Sequence, residues 1–449
     1  MIGRAAIIRV SFPLPARFRR TACVVALAAI GCVPASAQEL RDAVRQAVDT
    51  YPTLRANASE VRARDSEVLQ ARSNYFPLLS LDAGYAREKV DFSDSTIYES
   101  GYGVNFTARQ LLFDAGATAA RLRAAEASAA QGRAITAVDS NSVGLRAAEA
   151  YLTVLLSREL VRVGQQNLDT LRGLQGRVKE QTTFDVGLQS NTFLATSRVA
   201  LALDQLTEFL TLLDVNKVTY REIVGSVPDP ANFKYPDPGA GGALPPNLDA
   251  ALQTALVEHP TLKAASDRIA ESKARTDEAR AARWPRLDLE AKALPQYNWN
   301  ATPGTQNQYA IGVRLLWEMS TGGREFHRVD AAAAREQASA DSLEGAKRDV
   351  REAVRSAYER WQGAIAALAP RQAHVENVAK TVSAYEEQFR AGRRSLLDLT
   401  IVQNELFLAQ VRERQGYFDV LTNAYRLLHA EGVLLQRLGV TAPVPPPVK

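Results

Sequence analysis

The segment Phe76–Gly116 alternates apolar and polar residues over two runs, and the chain contains it twice. The first copy opens on Phe76-Pro77-Leu78-Leu79-Ser80-Leu81, passes through Tyr102-Gly103-Val104-Asn105-Phe106 and closes on Leu112-Phe113-Asp114-Ala115-Gly116. The second reads Trp284-Pro285-Arg286-Leu287-Asp288-Leu289, then Tyr309-Ala310-Ile311-Gly312-Val313, then Leu316-Trp317 and Gly322-Gly323. Each copy predicts two strands, at about 77–113 and about 285–318, set inside Ala-, Arg- and Glu-rich tracts of helical period. A strand pair in a helical protein cannot bury its faces or close its edges alone. Something else must complete the sheet.

The duplication extends beyond the strands. Leu40 to Tyr51-Pro52-Thr53-Leu54 matches Leu248 to His259-Pro260-Thr261-Leu262, with Pro52 and Pro260 208 residues apart. Pro77 and Pro285 keep the same offset of 208, and Ala71-Arg72 falls on Ala279-Arg280. A register held from the first helix into the strand marks an internal repeat. Helical period fills Leu40–Tyr75 and Leu248–Arg283, up to prolines that disfavour α conformation before them. After Gly116 it runs to about Thr183, and after Gly323 it continues through Pro370 to about Phe389. Each of these is a helix of about 65 residues, or about 100 Å. A helix of that length needs a partner along it. The shorter tracts before the strands and after the turns at Gly187 and Gly392 together supply about that length. The expected packing is therefore a long helix flanked by two short ones stacked end to end. A soluble coiled-coil rod would explain the helices and leave the strands unexplained.

Residues 1–37 read as a signal peptide. Arg4, Arg9, Arg17, Arg19 and Arg20 precede an apolar run from Ala22 to Val33, and Ala35-Ser36-Ala37 fits a small-x-small cleavage site. The run is too short to span a bilayer as a helix. Without these arginines the formal net charge of +4 becomes −1, so nucleic acid is not the expected partner. Cys23 and Cys32 both lie in this segment, and Cys32 after Ala29-Ile30-Gly31 leaves lipidation open as a second reading. A chain starting at Gln38 has no cysteine for disulfides or metal. The first repeat is then 38–227 and the second 248–440. Residues 228–247, with six prolines and three glycines, read as a linker, and 441–449 as a Pro-rich tail.

Leu79, Leu81, Ala83 and Tyr85 alternate with polar residues, as do Val104, Phe106 and Ala108, then Leu287, Leu289 and Ala291, then Tyr309, Ile311, Val313 and Leu315. Runs of 10 to 14 residues match tilted strands crossing a bilayer. Phe76, Phe113, Trp284 and Trp317 stand at their ends, where membrane-interface aromatics would fall. An ordinary amphipathic sheet packed on helices is the alternative. Four strands cannot enclose a lumen, and an open edge is excluded in lipid. Membrane strands would have to close with other copies, and three copies would give twelve.

A duplicated helix–strand–strand–helix unit, strand pairs ending in Phe113-Asp114-x-Gly116 and Trp317-Glu318-x-x-x-Gly322, and the turn Phe389-Arg390-Ala391-Gly392-Arg393-Arg394-Ser395-Leu396-Leu397-Asp398 resemble the TolC family of outer-membrane efflux proteins. The resemblance covers essentially all of 38–449. It implies a mainly α fold with a membrane β-barrel: a homotrimer whose twelve-stranded barrel in outer-membrane lipid continues into a periplasmic α-helical barrel. It implies a periplasmic adaptor (membrane fusion) protein and an inner-membrane transporter as partners. Gly392–Phe407, with Gln403-Asn404-Glu405-Leu406-Phe407, is most similar to the branch serving type I protein secretion through an ABC transporter. The alternative is drug or small-molecule efflux by a proton-driven pump.

The resemblance also implies site residues. Gly187, Leu188 and Ser190, with Gly392, Arg393, Arg394 and Ser395, would form the tips that meet the adaptor, although the glycines also serve as C-caps and the arginines as solvated charges. Asp398 has two roles open to it: the acidic member of a capping box, or one of three carboxylates around a periplasmic aperture. Many relatives carry a second acid one turn on, where this chain has Ile401. His259, His327, His374 and His429 are scattered, and no phosphate-binding loop is present, so neither an enzyme, nor a metal site, nor a cofactor is expected. An adaptor would show one hairpin flanked by β-rich domains, whereas two hairpins are present.

Overall fold

A computed structural model describes residues 39–91, 96–182, 189–237, 244–299, 302–319 and 322–443. The signal-peptide segment and the tip residues Gly187 and Leu188 lie outside them. The order is α1 (Leu40–Thr50), α2 (Pro52–Ser73), β1 (Leu78–Asp91), β2 (Thr96–Phe113), α3 (Ala117–Thr182), α4 (Gln189–Val224), α5 (Leu248–Glu258), α6 (Pro260–Ala281), β3 (Arg286–Trp299), β4 (Thr302–Leu316), α7 (Arg324–Arg390), α8 (Leu396–Ala430) and α9 (Leu434–Arg437). The two halves run element for element. The long helices have 66 and 67 residues, about 100 Å each.

Two boundaries differ from the sequence reading. Each helix before the strands is broken once, at Tyr51 and at His259, because the following proline forces them to extended ψ angles of 125° and 122°. Those helices also stop at Ser73 and Ala281, short of Pro77 and Pro285, and a turn carries the chain into the strands. After β2 the Asp114 carboxylate accepts from the amides of Gly116 (3.0 Å) and Thr118 (2.7 Å), satisfying two free donors at the start of α3. That bond is what the Phe-Asp-x-Gly motif encodes.

Along α3, the C-terminal half packs on α4, where Leu168 and Leu171 meet Ala202 and Leu206. Its N-terminal half packs on α2 and on α6 of the other repeat, tied by Arg121–Glu278 at 2.8 Å. The short helices meet end to end beside the middle of α3, where Ser226 donates to Gln46 at 3.2 Å. The largest core lies there, around the fully buried Tyr151 and Tyr220 and joined by α8 and α9. The start of the Pro-rich linker is part of that core. Phe233 stacks on Tyr151 with ring centres 4.3 Å apart, Arg158 donates to the Pro230 carbonyl at 2.6 Å, and Lys234 pairs with Glu39 at 2.9 Å. Proline and glycine content suggests a free tether, but the two aromatics Phe233 and Tyr235 fasten it as a strap. Residues 238–243 of it lie outside the described residues.

The four strands form one antiparallel sheet in the order β1-β2-β3-β4. Pairing of β2 with β3 joins the repeats: Phe106 faces Ala293 and Arg109 faces Glu290. Neither β1 nor β4 has a partner on its outer side among the described residues. No described helix is long and apolar enough to cross a membrane.

Candidate functional site: the sheet faces and the hairpin tips

Paired residues of a sheet share a face, so the register sorts the side chains into two sets. One row runs Leu79, Ala108, Ala291, Ile311, and the next runs Leu81, Phe106, Ala293, Tyr309. Leu79, Leu81, Tyr309, Ile311 and Val313 are all more than 60 % exposed. Soluble proteins rarely leave so continuous an apolar surface bare in water, and such a face marks contact with a membrane or another chain.

The opposite face is polar. Glu290 lies between three cations at 3.2 Å each: Arg109 on β2, Lys292 on β3 and Arg314 on β4. Asp288 accepts from Arg286 Nε at 2.9 Å. Both carboxylates are buried, and among the described residues no helix packs extensively on the sheet, so the cationic side chains of the same face are what cover them. The network is written in Arg286-x-Asp288-x-Glu290-x-Lys292, charged residues at every second position of a single strand. Its signal was the alternation itself, which the apolar residues between them dominated.

Phe76, Phe113, Trp284 and Trp317 are all more than half exposed and sit where the helices join the strands. Trp317 Nε1 donates to the Arg283 carbonyl at 3.3 Å.

At the far end the α3–α4 and α7–α8 hairpins come together. Leu396 and Leu399 of α8 are buried against Leu174, Val178 and Ala195, with Tyr385 and Phe389 alongside. Helix α7 ends in a Schellman motif: Gly392 donates to Phe389 O (3.0 Å) and Arg393 to Gln388 O (2.8 Å). Gly392 has φ +72°, which a side chain would strain. Ser395 and Gly392 are exposed, as is Ser190 at the start of α4. Arg393 projects into solvent. Arg394 is also exposed but is held back on the hairpin: its guanidinium lies 4.2 Å from the centre of the Tyr385 ring, its Nε donates to Gln388 at 3.0 Å, and its Nη1 lies 3.9 Å from the Asp398 carboxylate.

Asp398 is the third residue of α8. Its amide donates to the Ser395 hydroxyl at 3.1 Å, and that hydroxyl donates to its carboxylate at 2.9 Å. A carboxylate in the first turn also meets the positive end of the helix dipole. The carboxylate nonetheless keeps 43 % of its surface open, so capping does not consume it. Ile401 is exposed one turn on. On the same stripe of α8, four residues further, is Glu405, half exposed and 3.9 Å from His374. The sequence reading at Ile401 passed over this acid because it lies one turn further along α8. Among the described residues no three His, Cys, Asp or Glu side chains converge as a metal site.

The family described as outer membrane efflux protein matches residues 43–223 and 251–433, one span for each repeat. The chain is 24 % identical over 399 residues to the outer membrane efflux protein BepC of Brucella suis, covering 89 % of this chain and 86 % of that one. It is 27 % identical over 441 residues to the outer membrane protein TolC of Vibrio cholerae, covering 91 % and 94 %. Relatives also include the alkaline protease secretion protein AprF of Pseudomonas aeruginosa, at 24 % over 79 % of this chain and 74 % of that one. Among solved structures, the CusC channel superposes with a TM-score of 0.76 over 90 % of this chain and 92 % of its own, at 15 % identity. With the repeats, the sheet and both hairpins all accounted for, the chain belongs to the outer membrane efflux protein family.

Proposed function

We propose that the protein is the outer-membrane exit duct of a tripartite export machine, serving type I secretion of a protein substrate. The observation that carries this is the four-stranded sheet with a bare apolar face, a charged opposite face and two edges that are unpaired among the described residues. In lipid such edges must close, and β1 of one chain against β4 of the next closes them around a three-fold axis. Three copies then give a barrel of twelve strands, wide enough to leave an aqueous lumen. Phe76, Phe113, Trp284 and Trp317 take the interface on the helical side. A signal peptide ending at Ala37 delivers the chain to the periplasm, and Gly187, Leu188, Ser190, Gly392, Arg393, Arg394 and Ser395 meet the periplasmic adaptor. Arg394 is held on Tyr385 and stays exposed there.

Fractionation with the outer membrane, and migration as a trimer in mild detergent, are the expected results. A water-soluble periplasmic monomer would end the barrel reading. Deletion of the gene is expected to remove one or more proteins from the medium, as an ABC-type transporter loses its outlet. Increased drug sensitivity with an intact set of extracellular proteins would favour the second reading, small-molecule efflux driven by a proton-coupled pump. The names of relatives, which include both efflux and protease secretion, keep both in view.

The aperture residues are Asp398 and Ile401, with Glu405 as a second acid deeper on the same helix. Asp398→Asn keeps the Ser395 cap and is expected to cost about 0.3–1 kcal/mol through the lost dipole contact. In planar bilayers it is expected to weaken cation preference and block by polyvalent cations from the periplasmic side, while Ile401→Asp strengthens both. Unchanged selectivity in both variants, with trimers intact, would remove these residues from the aperture.

A further inference from the structure

The charged face of the sheet holds more donors than acceptors at its helical end. Glu290 has two carboxylate oxygens, shared among Arg109, Lys292 and Arg314, and the buried Nε of Arg109 has no acceptor at all. The exposures are asymmetric. The Glu290 and Asp288 side chains are 9 % and 3 % exposed, whereas Arg109, Lys292, Arg314 and Arg286 are 39 %, 31 %, 47 % and 52 % exposed. Water on this face therefore meets four cations laid over two covered carboxylates, an excess of two positive charges per chain. On the same face Asp82 is exposed on β1, two residues along from Ser80, whose row continues through Thr107 to Lys292 two strands away. That offset, about 7 Å along the strand and about 10 Å across two strands, is about 12 Å in all, beyond the Debye length of about 8 Å at physiological salt, so Asp82 does not cancel the row.

We propose that Arg109, Lys292, Arg314 and Arg286 form an anion-binding collar inside the duct that takes multivalent phosphate- or carboxylate-bearing groups in transit. The inference rests on the trimeric-duct reading, under which the row repeats three times around one lumen and faces across it. Bound carboxylates hold the cations in place by cross-strand pairing, as Arg109 faces Glu290 and Arg314 faces Asp288. The collar is thus preorganised and still short of acceptors, which is the condition under which a passing anion gains charge-assisted hydrogen bonds. A confined wall of one sign also concentrates ions of the other. The duct would then be acidic at its tip and basic where the helices give way to strands, so an acidic segment would be handed from repulsion to attraction as it moves outward.

The test uses the purified full chain in planar bilayers, with inositol hexakisphosphate and hexaglutamate as separate probes for phosphate and carboxylate. Both are expected to block the parent, more strongly from the side nearer the barrel. Lys292→Gln with Arg314→Gln is expected to weaken block roughly tenfold or more, as two charge-assisted contacts are lost. Lys292→Gln alone, which leaves Glu290 with two cationic partners, gives the same direction with less risk to folding. Block by one probe only, lost with these substitutions, assigns the collar to that anion chemistry. Absence of block in the parent, or block unchanged in both variants, overturns the collar. A parent that opens no channels at all overturns the duct reading instead.

Discussion

Val313→Arg and Leu81→Arg are expected to empty the outer membrane of assembled protein. Both residues lie on the bare face of the sheet, 61 % and 63 % exposed, in rows continuous with Ile311 and Tyr309. A guanidinium there would sit against hydrocarbon at a cost of about 2–4 kcal/mol at the bilayer midplane, paid three times per trimer. With total stabilities of about 5–15 kcal/mol common for folded domains, that is enough to shift the population towards unassembled chain. The adjacent residue, Arg314, points the other way. Arg314→Gln leaves Glu290 with Arg109 and Lys292, so assembly is expected to hold. Asp82→Asn, on the same polar face, is expected to assemble normally. The measurement is the yield of trimer in outer-membrane fractions on unboiled gels. Equal yields for Val313→Arg and Arg314→Gln would mean that the faces are assigned the wrong way round or that no lipid touches them.

The architecture was legible because two periodicities, 2 and 3.6, meet at fixed offsets in both halves. Each strand pair, each 100 Å helix and each turn could be located from apolar spacing, and the 208-residue offset made the second half a check on the first. What was not legible depends on which atoms meet. The strap is the plainest case: the composition of 228–247 describes a tether, and only the stacking of Phe233 on Tyr151 shows that its first part is core. The pairing of α6 with α3 across repeats is another, since periodicity reveals that a helix has an apolar face and not which helix receives it. At the tip, Arg393 and Arg394 are equal as letters, yet one projects into water and the other is held on Tyr385. The charge row of β3 was in plain view but carried no meaning until β2 and β4 brought Arg109 and Arg314 to the same carboxylate.

At the end of α8 a carboxylate is held at a cost, and removing its charge is expected to stabilise the protein in mild alkali. Glu431 is 1 % exposed and its Oε1 has no hydrogen-bond partner. It closes α8, where the exposed carbonyls already make negative charge unfavourable. Burial pushes its pKa up to about 7, an effect that Arg437 only partly offsets. The next residue, Gly432, has φ +79° and lies so close to His259 and Pro260 that an added Cβ would fall 2.7 Å from the Pro260 ring, so the turn has no room to move the acid outward. His259, facing it from the α5–α6 junction, is pushed down to about 4 by burial and by His429, itself lowered by burial. The signs follow from proton counts. Between pH 4.5 and 7 the folded chain holds a proton on Glu431 that the unfolded chain releases, so this group's contribution falls as pH rises through that window. His259 acts oppositely: the unfolded chain takes up a proton below about 6.5 that the folded chain refuses until about 4, so stability falls as pH drops through that range. Glu431→Gln keeps the shape and removes the charge. It is expected to match the parent near pH 4.5 and to exceed it by about 3 kcal/mol at pH 8, the equivalent of a shift of about two and a half pH units. The check is the thermal midpoint of detergent-solubilised trimer against pH, at fixed protomer concentration because assembly contributes to it. A variant whose midpoint follows the parent at every pH from 4.5 to 8 would show that Glu431 stays charged and solvated in the folded protein.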